Sequence, residues 1–236
     1  MKNLIRGGKP YNEASISQFQ KLNTIIHMKT DLEGFINDEN IMHYPRCFYL
    51  KITRRKSMSE ENVVKLKLCL IGEGSVGKTS LIKRFVYETF DDTYISTIGT
   101  KITKKDMVLK DPSTGADVSV TILVWDIMGQ KGFRELLQEA YFYGAQGLIA
   151  VCDITNKFSF DEIGDWVSSA FEVTGEVPIA FMANKFDLKD SSEFSIQDLE
   201  EYASKFKSSF ALPSSAKTGM NVEEAFHRLG HEILKK

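Results

Sequence analysis

From Leu66 onward, short apolar runs of strand length alternate with stretches of helical periodicity. Six runs read as strands: Lys65 to Ile71, Thr100 to Leu109, Val118 to Asp126, Gly147 to Cys152, Ile179 to Ala183 and Ser209 to Leu212. Helices are predicted near Lys78 to Tyr87, Glu135 to Phe142, Ser159 to Thr174, Ile196 to Phe206 and Val222 to Leu234. Such alternation predicts an α/β fold, a mostly parallel sheet with helices on both faces. Between the second and third strands stands only Asp111-Pro112-Ser113-Thr114-Gly115, too short for a crossover helix, so these two strands should form an antiparallel hairpin. The expected architecture is a six-stranded sheet with one antiparallel hairpin strand and about five helices.

The last helix shows how local signals enter this reading. Val222, Phe226, Leu229 and Ile233 recur at i, i+4, i+7 and i+11, one apolar stripe, and Asn221 with Glu224 has the spacing of a capping box. His227 and His231 lie one turn apart on the same helix, but no carboxylate or thiol cluster joins them, and they read as surface histidines.

Composition changes the picture in two places. Hydrophobic residues at 42% and charged residues at 26% suit a globular domain, and no apolar run approaches the roughly 20 residues of a membrane span. Residues 1 to 57 carry ten Lys/Arg against five Asp/Glu, net +5, which leaves −7 for the rest of a chain whose total is −2. This asymmetry and the absence of a sustained period mark 1–57 as a basic N-terminal extension to a domain at 58–236. Two readings of the extension stand: a disordered arm, or translation assigned upstream of a natural start at Met58. Cys47, Cys69 and Cys152 are too few for a disulfide framework, and the last two sit inside apolar runs. Buried thiols in a reducing, cytoplasmic setting are expected.

The chemistry begins at Gly72-Glu73-Gly74-Ser75-Val76-Gly77-Lys78-Thr79-Ser80, between the first strand and the first helix. That context fits a phosphate loop: glycines let backbone N–H groups wrap a phosphate chain, Lys78 neutralises β/γ oxygens, and the Thr79 hydroxyl suits Mg²⁺. The loop alone announces only a nucleoside triphosphate. Asn184-Lys185-Phe186-Asp187 follows the fifth strand at its carboxyl end, where ligands of open α/β sheets collect. A carboxylate there can accept from the N1–H and exocyclic amine of guanine, a donor pair adenine lacks.

With these motifs the chain resembles a small GTPase of the Ras superfamily, closest in style to the Rab group, over residues ~63 to 236. The resemblance implies a P-loop, Ras-like domain that binds GTP or GDP with Mg²⁺ and hydrolyses GTP slowly, as a monomer. Tyr94-Ile95-Ser96-Thr97-Ile98-Gly99 resembles the first switch, in which Thr97 would meet Mg²⁺ and the γ-phosphate. Trp125-Asp126-Ile127-Met128-Gly129-Gln130 resembles the second: Asp126 would hold Mg²⁺ through water, Gly129 would donate to the γ-phosphate, and Gln130 would orient the attacking water. Ser215-Ala216-Lys217 resembles the loop whose alanine N–H meets the guanine oxygen, and Phe90, eighteen residues after Gly72, the aromatic that packs on the base.

The resemblance also implies an exchange factor, an activating protein and effectors, and no nucleic acid. A GTP-loaded scaffold with negligible hydrolysis is the alternative. Gly99-Thr100-Lys101-Ile102 departs from the Gly-x-Asp-Phe usual in Rab proteins, and Lys131-Gly132 departs from the usual acidic-arginine pair, so effector and exchange-factor identities do not carry over. The chain has no cysteine after Cys152, so no prenyl anchor is expected, and the +5 segment would supply only weak, salt-sensitive membrane contact.

Overall fold

The computed structural model describes residues 63–91, 100–129 and 139–235. The expected extension at 1–57, the first-switch segment with Thr97, and Gln130 lie outside these residues.

β1 (Val64–Ile71) alternates between two cores: Leu66, Leu68 and Leu70 face one side of the sheet, Cys69 and Ile71 the other. The same alternation runs along β5 (Ile179–Asn184), where Ala180 and Met182 join the first core and Ile179, Phe181 and Ala183 the second. Strands apolar on both faces must be covered on both, and they are. α1 (Lys78–Tyr87) and α5 (Val222–Leu234) close the first core, with Phe85 stacked on Phe226 at 3.7 Å between ring centroids. α3 (Ile163–Thr174) and α4 (Ile196–Ala203) close the second around Trp166 and Phe181.

β2 (Thr100–Lys110) and β3 (Asp117–Ile127) form the expected antiparallel hairpin, in register from Thr100 opposite Ile127 to Lys110 opposite Asp117. Asp111 holds its turn by accepting from the N–H groups of Ser113 and Thr114. The remaining pairs are parallel, with β4 (Gly147–Asp153) and β6 (Phe210–Pro213) completing the order β2-β3-β1-β4-β5-β6. The strand ends expected from sequence fall within one residue of those observed.

Three local expectations need correction. The helix read as one piece over 159–174 is two, α2 (Lys157–Asp161) and α3, broken at Glu162. The Ser159 hydroxyl donates to the Asn156 carbonyl and accepts from the Asp153 N–H, which pins the first turn to the end of β4, while Ile163, Trp166 and Val167 follow the sheet. α4 stops at Ala203, three residues early, because Phe206 turns back to pack on Phe181 and Phe171. The capping box is absent from α5: Asn221 has φ 54°, and its amide donates to the Pro213 carbonyl at 2.8 Å. An N-cap needs extended backbone and a side-chain oxygen aimed at the helix, neither of which Asn221 has. A reciprocal box forms instead at α4, between Ser195 and Asp198.

Candidate functional site

In the parallel part of the sheet the carboxyl ends of β1, β3, β5 and β6 lie along one edge, and each releases a segment carrying expected site residues. That edge of an open α/β sheet is where ligands bind.

The loop from Gly72 to Gly77 turns back on itself through Ser75 at φ 63° and Gly77 at φ 97° before α1 begins. Gly77 has a second reason to be glycine: a Cβ there would stand 2.3 Å from the Asn184 amide nitrogen. Gly74 and Ser75 are exposed at the crest, Val76 is buried beneath, and Thr79 and Ser80 are half buried in the first turn of α1. Lys78 is 7% exposed and its ammonium donates to the carbonyls of Gly72 and Glu73, both at 2.7 Å, inside the curl of the loop. Burial pushes its pKa down to about 8, with Asp126 and then Glu73 pulling the other way. A buried ammonium with two carbonyls around it gains by meeting an anion, and the N-terminal N–H groups of α1 point to the same place.

Asp126, next to last in β3, is buried and accepts from the Thr79 hydroxyl at 2.5 Å. A hydroxyl and a carboxylate oxygen this close are the hard donors Mg²⁺ takes, and that ion completes its shell with water and phosphate oxygens rather than with a protein cage. Among the described residues no group of three His, Cys, Asp or Glu is placed to hold a metal by itself, His227 and His231 included. Gly129 follows three residues on, so close to the loop that a Cβ would stand 2.5 Å from the Lys78 nitrogen and 2.6 Å from the Glu73 carbonyl. The structure thus brings the second-switch strand end against the phosphate loop.

At the other end, Asn184 is 1% exposed and links two loops. Its amide donates to the Val76 carbonyl at 2.8 Å, and its oxygen accepts from the Ala216 N–H at 3.2 Å. Lys185 adopts φ 62° and lays its ammonium 2.5 Å from Asp153. Asp187 is exposed, with one carboxylate oxygen accepting from the Ser215 hydroxyl at 2.6 Å, and that hydroxyl also accepts from the Thr218 N–H. Ser215 and Ala216 are buried and Lys217 is exposed. Phe90, three residues beyond α1, is half buried against the first core.

Two side chains that sequence reasoning passed over also enter the site. The Trp166 indole N–H donates to the Glu73 carboxylate at 2.9 Å, and the Lys78 nitrogen stands 6.0 Å from the Trp166 ring. Arg84, on the last turn of α1, donates to the carbonyls of Ala216 and Lys217 at 2.8 and 2.6 Å. Both contacts join positions about ninety or more residues apart, and no local pattern announces them.

A mostly parallel sheet with a glycine-turned loop, a buried lysine and a threonine–aspartate pair at its carboxyl edge defines a phosphate-loop nucleotide-binding domain. Comparison with known proteins narrows the class. Residues 67–235 match the Ras family, and over 171 residues the chain is 38% identical to Ras-related protein Rab-8B of Bos taurus, covering 72% of this chain and 79% of that protein. The chain belongs to the Ras family: it is a Rab-like small GTPase, a GTP-binding switch. Membership implies regulators and effectors in general.

Proposed function

We propose that this GTPase requires Mg²⁺, hydrolyses GTP slowly by itself, and cycles between GTP- and GDP-bound surfaces read by partners. The observation that carries the reading is the Asn184 side chain, which ties the phosphate loop at Val76 to the base loop at Ala216. One nucleotide laid along that line would have its phosphates at Lys78 and its base at Asp187. The Asp187 carboxylate would accept from the guanine N1–H and amine, and Ala216 would turn its N–H from Asn184 toward the guanine oxygen. Phe90 and Lys185 would flank the base. Mg²⁺, held by Thr79, Asp126 and Thr97, would offset the charge on the β- and γ-phosphates.

Hydrolysis in such a site is positioning and charge neutralisation, with no covalent enzyme intermediate. Lys78 neutralises the phosphates, Gly129 offers an N–H to the γ-phosphate, and Gln130 orients the attacking water. Both arginines among the described residues are engaged elsewhere, Arg84 on the base loop and Arg228 over the Phe210 ring. Turnover is accordingly proposed to be slow, with an activating protein supplying a further positive charge. Loss of the γ-phosphate releases Thr97 and Gly129, which changes the surface shown to effectors. We place the protein in the cytoplasm; the buried thiols of Cys69 and Cys152 support a reducing compartment.

One set of measurements tests this. Wild type should hydrolyse bound GTP in single turnover on the order of 10⁻⁴ s⁻¹, with Gln130→Leu at least about tenfold slower. Asp187→Asn should exchange guanine for xanthine preference. A wild type as slow as Gln130→Leu even with cell extract means a scaffold without a cycle, and an unchanged base preference in Asp187→Asn removes the base-site assignment.

A further inference from the structure

We propose that Arg84 is a positioning residue that sets how long the nucleotide stays bound, by holding the base loop in shape from behind. The proposal rests on the reading of Ser215-Ala216-Lys217 as the base loop.

The geometry is specific to a guanidinium. From the C-terminal turn of α1, Nε donates to the Ala216 carbonyl at 2.8 Å and Nη2 to the Lys217 carbonyl at 2.6 Å, while Nη1 reaches back to the Glu88 carbonyl at 3.0 Å. One planar fork thereby spans two successive peptide groups of the loop and the end of its own helix. A lysine, a point charge with rotatable donors, cannot reproduce that span. Its stem packs beside Gly219, whose φ of 86° closes the loop and whose missing side chain leaves 3.7 Å between an imagined Cβ and the Arg84 Cδ.

The loop is therefore held from two sides. Asn184 takes the Ala216 N–H from the phosphate side, and Arg84 takes the Ala216 and Lys217 carbonyls from the far side. The Ala216 N–H shares its peptide plane with the Ser215 carbonyl, which accepts from the Gly219 N–H at 2.8 Å, and the two carbonyls that Arg84 holds belong to the next two planes of the same turn. With those following planes and Gly219 held, Ala216 keeps its place in the loop while its N–H passes from Asn184 to a base oxygen. Because α1 carries Lys78 and Thr79 in its first turn and Arg84 in its last, one helix sets the spacing between the phosphate end and the base end.

Arg84 is reachable from outside. With Phe85, Glu88, Gly219, Val222 and Glu223 it lines a cavity of about 250 Å³. None of the residues lining it is one assigned to the nucleotide.

The test uses full-length protein loaded with a fluorescent GDP, comparing wild type, Arg84→Met and Arg84→Lys. Arg84→Met should release GDP about tenfold faster, the equivalent of ~1.4 kcal/mol. Its preference for GDP over ADP should fall by a similar factor, because the loss is confined to base recognition. Arg84→Lys should lie between. Unchanged release in a folded Arg84→Met overturns the proposal. Faster release with the GDP-over-ADP preference intact also overturns it, since that is general loosening. If Arg84→Met does not fold, Arg84→Lys decides by the same two readouts. Asp187→Asn in parallel separates the two ideas: a xanthine switch there with unaltered Arg84 variants leaves the site reading standing and removes the clamp, whereas no switch removes the site reading itself.

Discussion

Lys78 shows how one side chain can be costly to the fold and necessary to the site. Its ammonium is buried against two carbonyls, and its pKa is pushed down from 10.5 to about 8, first by burial. Below pH 8 the group is charged in both the folded and unfolded chain, and the burial cost is present in full. Between pH 8 and 10.5 the unfolded chain keeps the proton that the folded chain gives up, so nucleotide-free stability rises with pH over that window. Lys78→Met should therefore be more stable than wild type without nucleotide at pH 7, and that gap should narrow toward pH 10 in denaturant titrations. GDP affinity of wild type should weaken over the same window, because the phosphates require the ammonium. A gap independent of pH would mean that Lys78 is not buried as a charge. The thiols report the same physics with the opposite sign: burial raises Cys69 to about 12 and raises Cys152 as well, which keeps both inert.

Among the elements, helix starts separate what a pattern promises from what a fold delivers. α4 begins with a reciprocal Ser195–Asp198 box, and Ser195→Ala should cost about 1 kcal/mol. For a domain of this size that is a fall of roughly 2–4 °C in thermal midpoint, measurable by circular dichroism. α5 begins without a side-chain cap, and Asn221 instead ties the end of β6 to the helix. α1 matters most to function, since it joins the phosphate end at Lys78 to the base loop at Ala216 through Arg84. Glu88, at φ 56°, ends it by returning its N–H to the Arg84 carbonyl.

In the sheet, the strand order places β1 centrally, with β3 and β4 on either side, and successive residues of its strands feed the two cores in turn. Each loop of the site leaves from that sheet, so core rigidity becomes site rigidity. We propose that the domain is residues 58–236 and that residues 1–57 are an appendage to it. The family match begins at residue 67, and both clamps on the base loop lie beyond that point. A fragment starting at Met58 should keep its GDP affinity within about threefold and its GDP-bound thermal midpoint within about 2 °C of the full chain, as a self-contained domain would. Loss of solubility or affinity would show that the first 57 residues pack on the domain.

Periodicity and turn chemistry determined the sheet, its hairpin and most helix ends, because alternation and glycine placement are local properties of the chain. The phosphate loop was legible for the same reason: Gly72, Gly77, Lys78 and Thr79 fall within eight successive residues, so one local turn places them all. Asn184, Asp187 and Ser215 to Lys217 were legible as motifs, while their adjacency, one Asn184 side chain between Val76 and Ala216, is a property of parallel β1, β4, β5 and β6. The tertiary structure alone decided the contacts that carry no spacing rule. Trp166 reaches Glu73 and Arg84 reaches Ala216 because packing brings distant surfaces together, and Asn221 lost its cap to Pro213 because tertiary hydrogen bonding outcompeted a local one.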